Sequence, residues 1–117
     1  MPLIRLETSC DLSDASKKQA LTKALSRLAA EGIGKPEQYV MASVHDHLAM
    51  SMSGQIGHCA LVTIKSIGGL TRAVNQHLAA QIDQMLQEEL AISQDRIYIT
   101  FEDLAPTHWA FNGRTFG

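Results

Sequence analysis

Apolar residues are distributed along the chain in two rhythms. Four short runs, Pro2–Glu7, Tyr39–Val44, Cys59–Ser66 and Arg96–Phe101, are rich in apolar, β-branched and aromatic residues and read as strands. Two longer stretches carry apolar residues every three or four positions and read as helices with one buried face. The first holds Leu21, Leu25 and Leu28. A turn-forming Ser9-Cys10-Asp11-Leu12-Ser13 precedes it, and Ser13 is the expected N-cap. Gly32 is its expected C-cap, with Gly34 behind it and Pro36 barring continuation. The second stretch holds Val74, Leu78, Ile82, Met85, Leu86 and Leu90, follows a Gly68-Gly69 turn, and has Thr71 as its expected N-cap. Ser93-Gln94-Asp95 turns the chain into the last strand.

Strand, helix, strand thus occurs twice, dividing the chain into pseudo-repeats 1–58 and 59–117 of one domain. Glu37–Val40 and Asp95–Ile99 occupy equivalent places after their helices. Helices that join parallel strands cross on one face of a sheet. The expected fold is therefore α/β (α+β): a two-layer sandwich of a four-stranded mixed sheet and two helices. Whether Cys59, Leu61 and Thr63 point inward or outward depends on register. Apolar residues occupy adjacent positions in the strands (Leu3 and Ile4, Leu61 and Val62), so the uncovered sheet face is expected to be apolar. An exposed apolar face marks an interface, and the chain is expected to be a homo-oligomer packing its sheets toward a shared axis. Leu48–Met52 reads as a short edge strand. Asn112-Gly113, with Trp109 and Phe111 before it and Phe116 after it, reads as a small hairpin.

Composition narrows the function classes. Of the 117 residues 45% are apolar and 19% charged, enough for one core and too few charges for a disordered tail. Net charge is −2 with no run of like charges, which argues against a nucleic-acid surface. No apolar stretch is long enough to span a bilayer, so no membrane partner is expected. Arg5 and Glu7 stand where a signal peptide would need an apolar block, so conventional export is not expected. Cys10 and Cys59 do not make a disulfide framework, and a reducing cytoplasm is the expected compartment. His45-Asp46-His47 offers alternate side chains to a metal but lacks a third ligand at suitable spacing. Neither a metal nor a cofactor is expected. The five methionines read as packing residues.

Pro2 carries the most specific chemistry. If Met1 is trimmed, the chain begins with a secondary amine in place of an amide. A terminal amine titrates near pH ~7.7–8.0, and apolar burial or a neighbouring cation lowers that value. Such a nitrogen is a neutral base at physiological pH. The plain structural reading is that proline begins a strand because it donates nothing to a ladder.

Several segments together resemble the macrophage migration inhibitory factor family. They are Met1-Pro2-Leu3-Ile4, Gly34–Tyr39, Cys59-Ala60-Leu61, Ser66-Ile67-Gly68, Ile92–Ile99 and Thr115-Phe116-Gly117. The resemblance covers essentially the whole length. It implies a homotrimer of β-α-β-β-α-β subunits and a keto–enol tautomerase acting on phenylpyruvate-like α-keto acids, with the Pro2 nitrogen as base. It also implies that Lys35 pairs with the substrate carboxylate and lowers the proline pKa, and that the Ile67 amide binds the same carboxylate. Tyr98 would project into the adjacent subunit's pocket, and Trp109 and Phe111 would line the pocket and exclude water.

The chain departs from the family pattern in ways that bear on substrate. Thr100 stands where animal relatives carry an asparagine that helps hold the substrate. Trp109 replaces a smaller apolar residue, and Phe111 replaces tryptophan. Val62 stands where some relatives have a second cysteine, so no thiol–disulfide activity is expected. The loop Asp11-Leu12-Ser13-Asp14 lacks the basic residue of the animal cytokines, and receptor binding is not indicated. Two other functional readings stand beside the enzyme. One is a cytokine-like interaction protein with a vestigial tautomerase pocket. The other, reached without the resemblance, is a small-molecule-binding regulatory domain of ferredoxin-like topology.

Overall fold

Alternation along each strand decides which side chains meet the helices. In the computed structural model, which describes residues 1–117, β1 (Pro2–Thr8) buries Pro2, Ile4, Leu6 and Thr8 and turns Leu3, Arg5 and Glu7 the other way. Helix α1 (Ala15–Ile33) returns the chain to β2 (Met41–His45), which pairs parallel to β1. Two short hairpin strands follow, β3 (Ser51–Met52) and β4 (Gln55–Ile56). Strand β5 (Ala60–Ser66), helix α2 (Arg72–Leu90) and strand β6 (Ile97–Asp103) repeat the unit, again with parallel strands. The halves join antiparallel through β1 and β5, giving the order β2-β1-β5-β6. The tail closes in a second hairpin, β7 (Ala110–Phe111) and β8 (Arg114–Thr115). This is the two-layer α/β (α+β) sandwich with a mixed four-stranded sheet.

The core lies between sheet and helices. Ile4 and Leu6 of β1 and Val62 and Ile64 of β5 meet Leu25 and Ala29 of α1 and Leu78, Ile82 and Leu86 of α2, all without solvent exposure. The register left open by the sequence is therefore fixed. Even-numbered residues of β5 face the helices, and Leu61 and Thr63 face away.

Both helix caps of α1 differ from expectation. Asp14, not Ser13, is the N-cap, its carboxylate accepting from Ser16 N–H at 3.0 Å and Lys17 N–H at 3.3 Å. An ionised oxygen at a helix N-terminus is favoured by the dipole as well as by the free amides. The helix runs through Gly32 and stops at Gly34, whose φ of 78° is left-handed. Thr71 caps α2 as expected, accepting from Val74 N–H at 3.2 Å. The edge segment Leu48–Met52 contributes only Ser51 and Met52 to a strand, paired within its own hairpin. Arg96 fastens that hairpin to the sheet, donating to the carbonyls of His58 (2.8 Å) and Gln55 (3.1 Å).

Gly32 is retained inside α1 because the helices touch there. A Cβ at this position would overlap Leu78 Cδ2 and sit 3.0 Å from Leu78 Cγ, and Leu78 is fully buried. Alanine gains about 1 kcal/mol of helix propensity over glycine, but overpacking a filled core costs ~1–3 kcal/mol. Gly32→Ala is thus expected to lower the unfolding free energy by a net ~1 kcal/mol, read as a lower urea midpoint at unchanged slope. A midpoint equal to or above that of the native chain would contradict this contact.

The uncovered sheet face differs from the expectation of an apolar one. Three rows cross it: Met41–Leu3–Lys65–Glu102, Ser43–Arg5–Thr63–Thr100 and His45–Glu7–Leu61–Tyr98. Leucine and methionine are present, but charged and hydroxyl side chains hold most of the positions. Adjacent apolar residues in sequence misled because Arg5, Glu7, Thr63 and Lys65 all fall on this same face. Such a face is not sealed by apolar packing, since each buried charge would need a partner.

Candidate active site

The start of β1, the end of β2 nearest it and the C-terminal hairpin form one cleft of about 440 Å³. Met1, Pro2, Leu3, Tyr39, Met41, Trp109 and Phe111 supply most of its wall. Pro2 begins β1 opposite Ser66, with its side chain buried. Its ring occupies a position where an amide donor is not needed.

The tail is folded so that its aromatics reach this wall. Asn112 and Gly113 have φ of 54° and 80°, the pair of left-handed residues that a tight type I′ hairpin requires. Phe111 and Phe116 then stack across the hairpin, ring centroids 6.4 Å apart and planes 6° from parallel. Phe116 N–H donates to the Pro106 and Trp109 carbonyls at 3.2 and 3.0 Å, which anchors the hairpin to the preceding turn. Leu104 N–H donates to Ser66 O at 2.9 Å, holding that turn beside the end of β5.

Lys35 approaches from the end of α1. Gly69, at φ 81°, packs against that end: a Cβ there would lie 2.9 Å from Ile33 Cγ2 and 3.6 Å from Lys35 Cε. Only a residue without a side chain lets the turn after β5 sit this close. The electrostatic consequence falls on the chain terminus. The Met1 terminal amine is held below its ordinary value, first by burial and second by the Lys35 ammonium. Both causes penalise the protonated form. Removal of Met1 would make the Pro2 nitrogen the terminal amine, one residue deeper into the same environment.

The turn Ser66–Gly69 carries one donor fewer than the sequence suggests. Gly68 N–H is already bonded to Asp103 Oδ1 at 2.8 Å, and Ser66 Oγ donates to Gly68 O at 2.8 Å. The Ile67 N–H has no partner within the protein and remains the amide able to take an anion.

Pro2, Trp109 and Phe111 are thus brought together in one cleft; Lys35 and Ile67 do not line it, Lys35 acting on the chain terminus through its charge and Ile67 following Ser66, the register partner of Pro2. Tyr98 and Thr100 lie away from it. Tyr98 shares a row with Glu7, five residues along β1 from Pro2, or roughly 17 Å at ~3.4 Å per residue. It is 64% exposed on the uncovered face. Lining residues not singled out from the sequence include Leu3, Met41, Leu104, His108 and Lys65. Lys65 joins the cleft through its antiparallel register opposite Leu3, a pairing between distant segments that no local signal marks.

His45-Asp46-His47 is otherwise engaged. Asp46 accepts from Lys18 Nζ at 2.6 Å and from Leu12 N–H at 2.7 Å, tying the loop before α1 to the loop after β2. These two bonds, the Lys18 one foremost, hold its carboxyl below the usual range. His45 Nε2 lies 3.1 Å from Ser43 Oγ.

The whole chain, residues 1–117, matches the family model described as macrophage migration inhibitory factor. The chain belongs to the macrophage migration inhibitory factor family. Among curated relatives, a macrophage migration inhibitory factor homolog of Brugia malayi is 37% identical over 117 residues, the full length of both chains. The macrophage migration inhibitory factor of Meriones unguiculatus is 34% identical over 116 residues, 99% of each. Among solved structures, the macrophage migration inhibitory factor homologue of Prochlorococcus marinus superposes with a TM-score of 0.91. It shares 36% identity, with 98% of this chain and 99% of that one covered. The sheet order, paired β-α-β units and terminal hairpin described above are therefore those of a macrophage migration inhibitory factor fold.

Proposed function

We propose that this chain is a keto–enol tautomerase acting on phenylpyruvate-like α-keto acids, with the Pro2 nitrogen, freed of Met1, as its general base and acid. The observation that carries the reading is the position of the chain terminus. It lies in an aromatic-walled cleft, in surroundings that disfavour a charged amine through burial and through Lys35. Family membership and the apolar cleft support an aromatic substrate.

In this mechanism the neutral Pro2 nitrogen takes a proton from the carbon next to the keto group. The electron pair moves to the carbonyl oxygen and gives an enolate. Return of the proton to oxygen yields the enol, so nothing is gained or lost overall. A base whose pKa lies near the working pH accepts and returns the proton with similar ease. Lys35 and the Ile67 N–H take the carboxylate. Trp109 and Phe111 keep water from the amine, which holds it neutral.

Tyr98 and Thr100 lie too far along the sheet to reach Pro2 within one protomer. The active assembly is accordingly a homotrimer in which an adjacent subunit delivers them. Thr100, shorter than the asparagine of animal relatives, reaches substrate through water. The test follows decay of phenylpyruvate enol by absorbance, together with sedimentation. Rate acceleration by a species of three 12.8-kDa chains is expected. Monomer alone at micromolar concentration would overturn the shared site, and no acceleration would overturn the activity.

A further inference from the structure

The uncovered sheet face carries more hydrogen-bonding capacity than its own partners use. Arg5 stands at the centre of the row Ser43–Arg5–Thr63–Thr100, with a hydroxyl in register on each flanking strand. A second cavity, about 400 Å³, opens over these residues and is lined by Leu3, Arg5, Ser43, His45, Thr63 and Lys65. No carboxylate lines it. Glu7 and Glu102 stand off to the sides, 3.6 Å from Arg5 Nε and 3.5 Å from Lys65 Nζ. Neither distance is that of a charge-assisted hydrogen bond, which is closer to ~2.8 Å. Exposed pairs of this kind contribute little, and neither Arg5 nor Lys65 makes any other side-chain bond. The guanidinium and ammonium donors not turned to these two carboxylates, and the Thr63 hydroxyl, have no partner in the protein and face the cavity.

We propose that this chain binds inorganic phosphate on the uncovered face of its sheet, with Arg5 and Lys65 as the cations, Thr63 as a flanking hydroxyl donor, and Ser43, whose Oγ lies 3.1 Å from His45 Nε2, as the hydroxyl on the other side. The geometry favours a tetrahedral oxyanion over a carboxylate. Donors arrive from three strands, and a planar group with two oxygens would satisfy Arg5 alone. The cavity exceeds a single phosphate, so waters complete the shell. Leu3 closes one end and His45 the other. The site requires no tautomerase activity. It adjoins the Pro2 cleft only through Leu3 and Lys65, which line both cavities.

The test is calorimetric titration of the full-length protein with sodium phosphate at low ionic strength, repeated with Arg5→Gln, Thr63→Val and Arg27→Gln. Saturable binding at about 1 mM or tighter is expected for the native chain. Arg5→Gln should weaken it about tenfold or more, because a charge-assisted bond is lost. Thr63→Val should weaken it several-fold, and Arg27→Gln, on the exposed side of α1, should leave it unchanged. Circular dichroism confirms that each variant is folded. Should Arg5→Gln fail to fold, Lys65→Gln carries the same expectation. Equal affinity in all variants would mean an adventitious ion only and would overturn the proposal. So would the absence of saturation below about 10 mM.

Discussion

Chains that keep Met1 will convert enol substrate about 10²–10⁴-fold more slowly than chains that begin at Pro2. That range is the usual contribution of a positioned general base. Two physical effects act together. With Met1 attached, the proline nitrogen is an amide whose lone pair is delocalised into the carbonyl and has no useful basicity. The Met1 side of the cleft is also filled, because Met1 itself lines the wall. Pro2→Gly separates the two effects, provided its N-terminus is trimmed. It restores an amine at the right place without the cap, and should recover part of the lost rate. The measurement is the enol decay rate of each form, with both N-termini verified by intact mass. Rates within twofold of one another would remove Pro2 from the chemistry.

Lys35→Ala is expected to lower kcat/KM about ten- to a hundredfold, the equivalent of one hydrogen bond to a charged group. It should also move the pH profile. The base acts unprotonated, so the rate rises as pH climbs through the amine pKa. Lys35 disfavours the ammonium form of the Met1 terminal amine, and the same charge acting on the Pro2 amine means that its removal raises the pKa of the base. The acidic limb therefore shifts toward alkaline pH, and the deficit is larger at pH 6 than at pH 8. At the Met1 amine burial is the larger of the two causes, so for Pro2 in the same surroundings the shift is expected to be partial and not to restore an ordinary terminal amine. Lys35→Arg keeps the charge and should keep the position of the limb even where geometry costs rate. An unmoved limb in Lys35→Ala, with only KM raised, would confine Lys35 to holding the carboxylate.

The fold was legible because its elements carry strong local signals. The two periodic helices, the Thr71 cap and the Asn112-Gly113 hairpin stand where the pattern puts them, and the four strand runs do so to within two residues at their ends, Tyr39 and Arg96 falling in short helical turns just before their strands. The α1 caps were misread because several residues able to cap stand close together. Asp14 beats Ser13 by charge, and Gly34 beats Gly32 because Leu78 needs the space that Gly32 leaves. The uncovered face is more polar than the neighbouring apolar pairs Leu3-Ile4 and Leu61-Val62 suggest, because one member of each pair is buried against the helices. The face itself is set by every second residue across four strands. That is a long-range property of register, which one strand alone does not specify.

The site was partly legible for the same reason. Pro2, Lys35 and Ile67 lie at element ends where local sequence is informative. Trp109 and Phe111 stand out as aromatics in a chain with few of them. Lys65, Met41 and Leu104 enter the cleft through pairing and turn contacts between distant segments. Nothing local marks them. Tyr98 and Thr100 stand on the uncovered face, away from Pro2 in their own chain, and their place in the site rests on the proposed assembly.

The central claim concerns the charge on one nitrogen, and it is open to direct observation. Nitrogen-15 NMR titration of proline-labelled mature protein reads the protonation of Pro2 itself, without reference to substrate. The account predicts a midpoint below the ordinary terminal-amine range of about 7.7–8.0. A midpoint at or above that range, or a Pro2 signal with amide shift and no titration in the isolated protein, would contradict it.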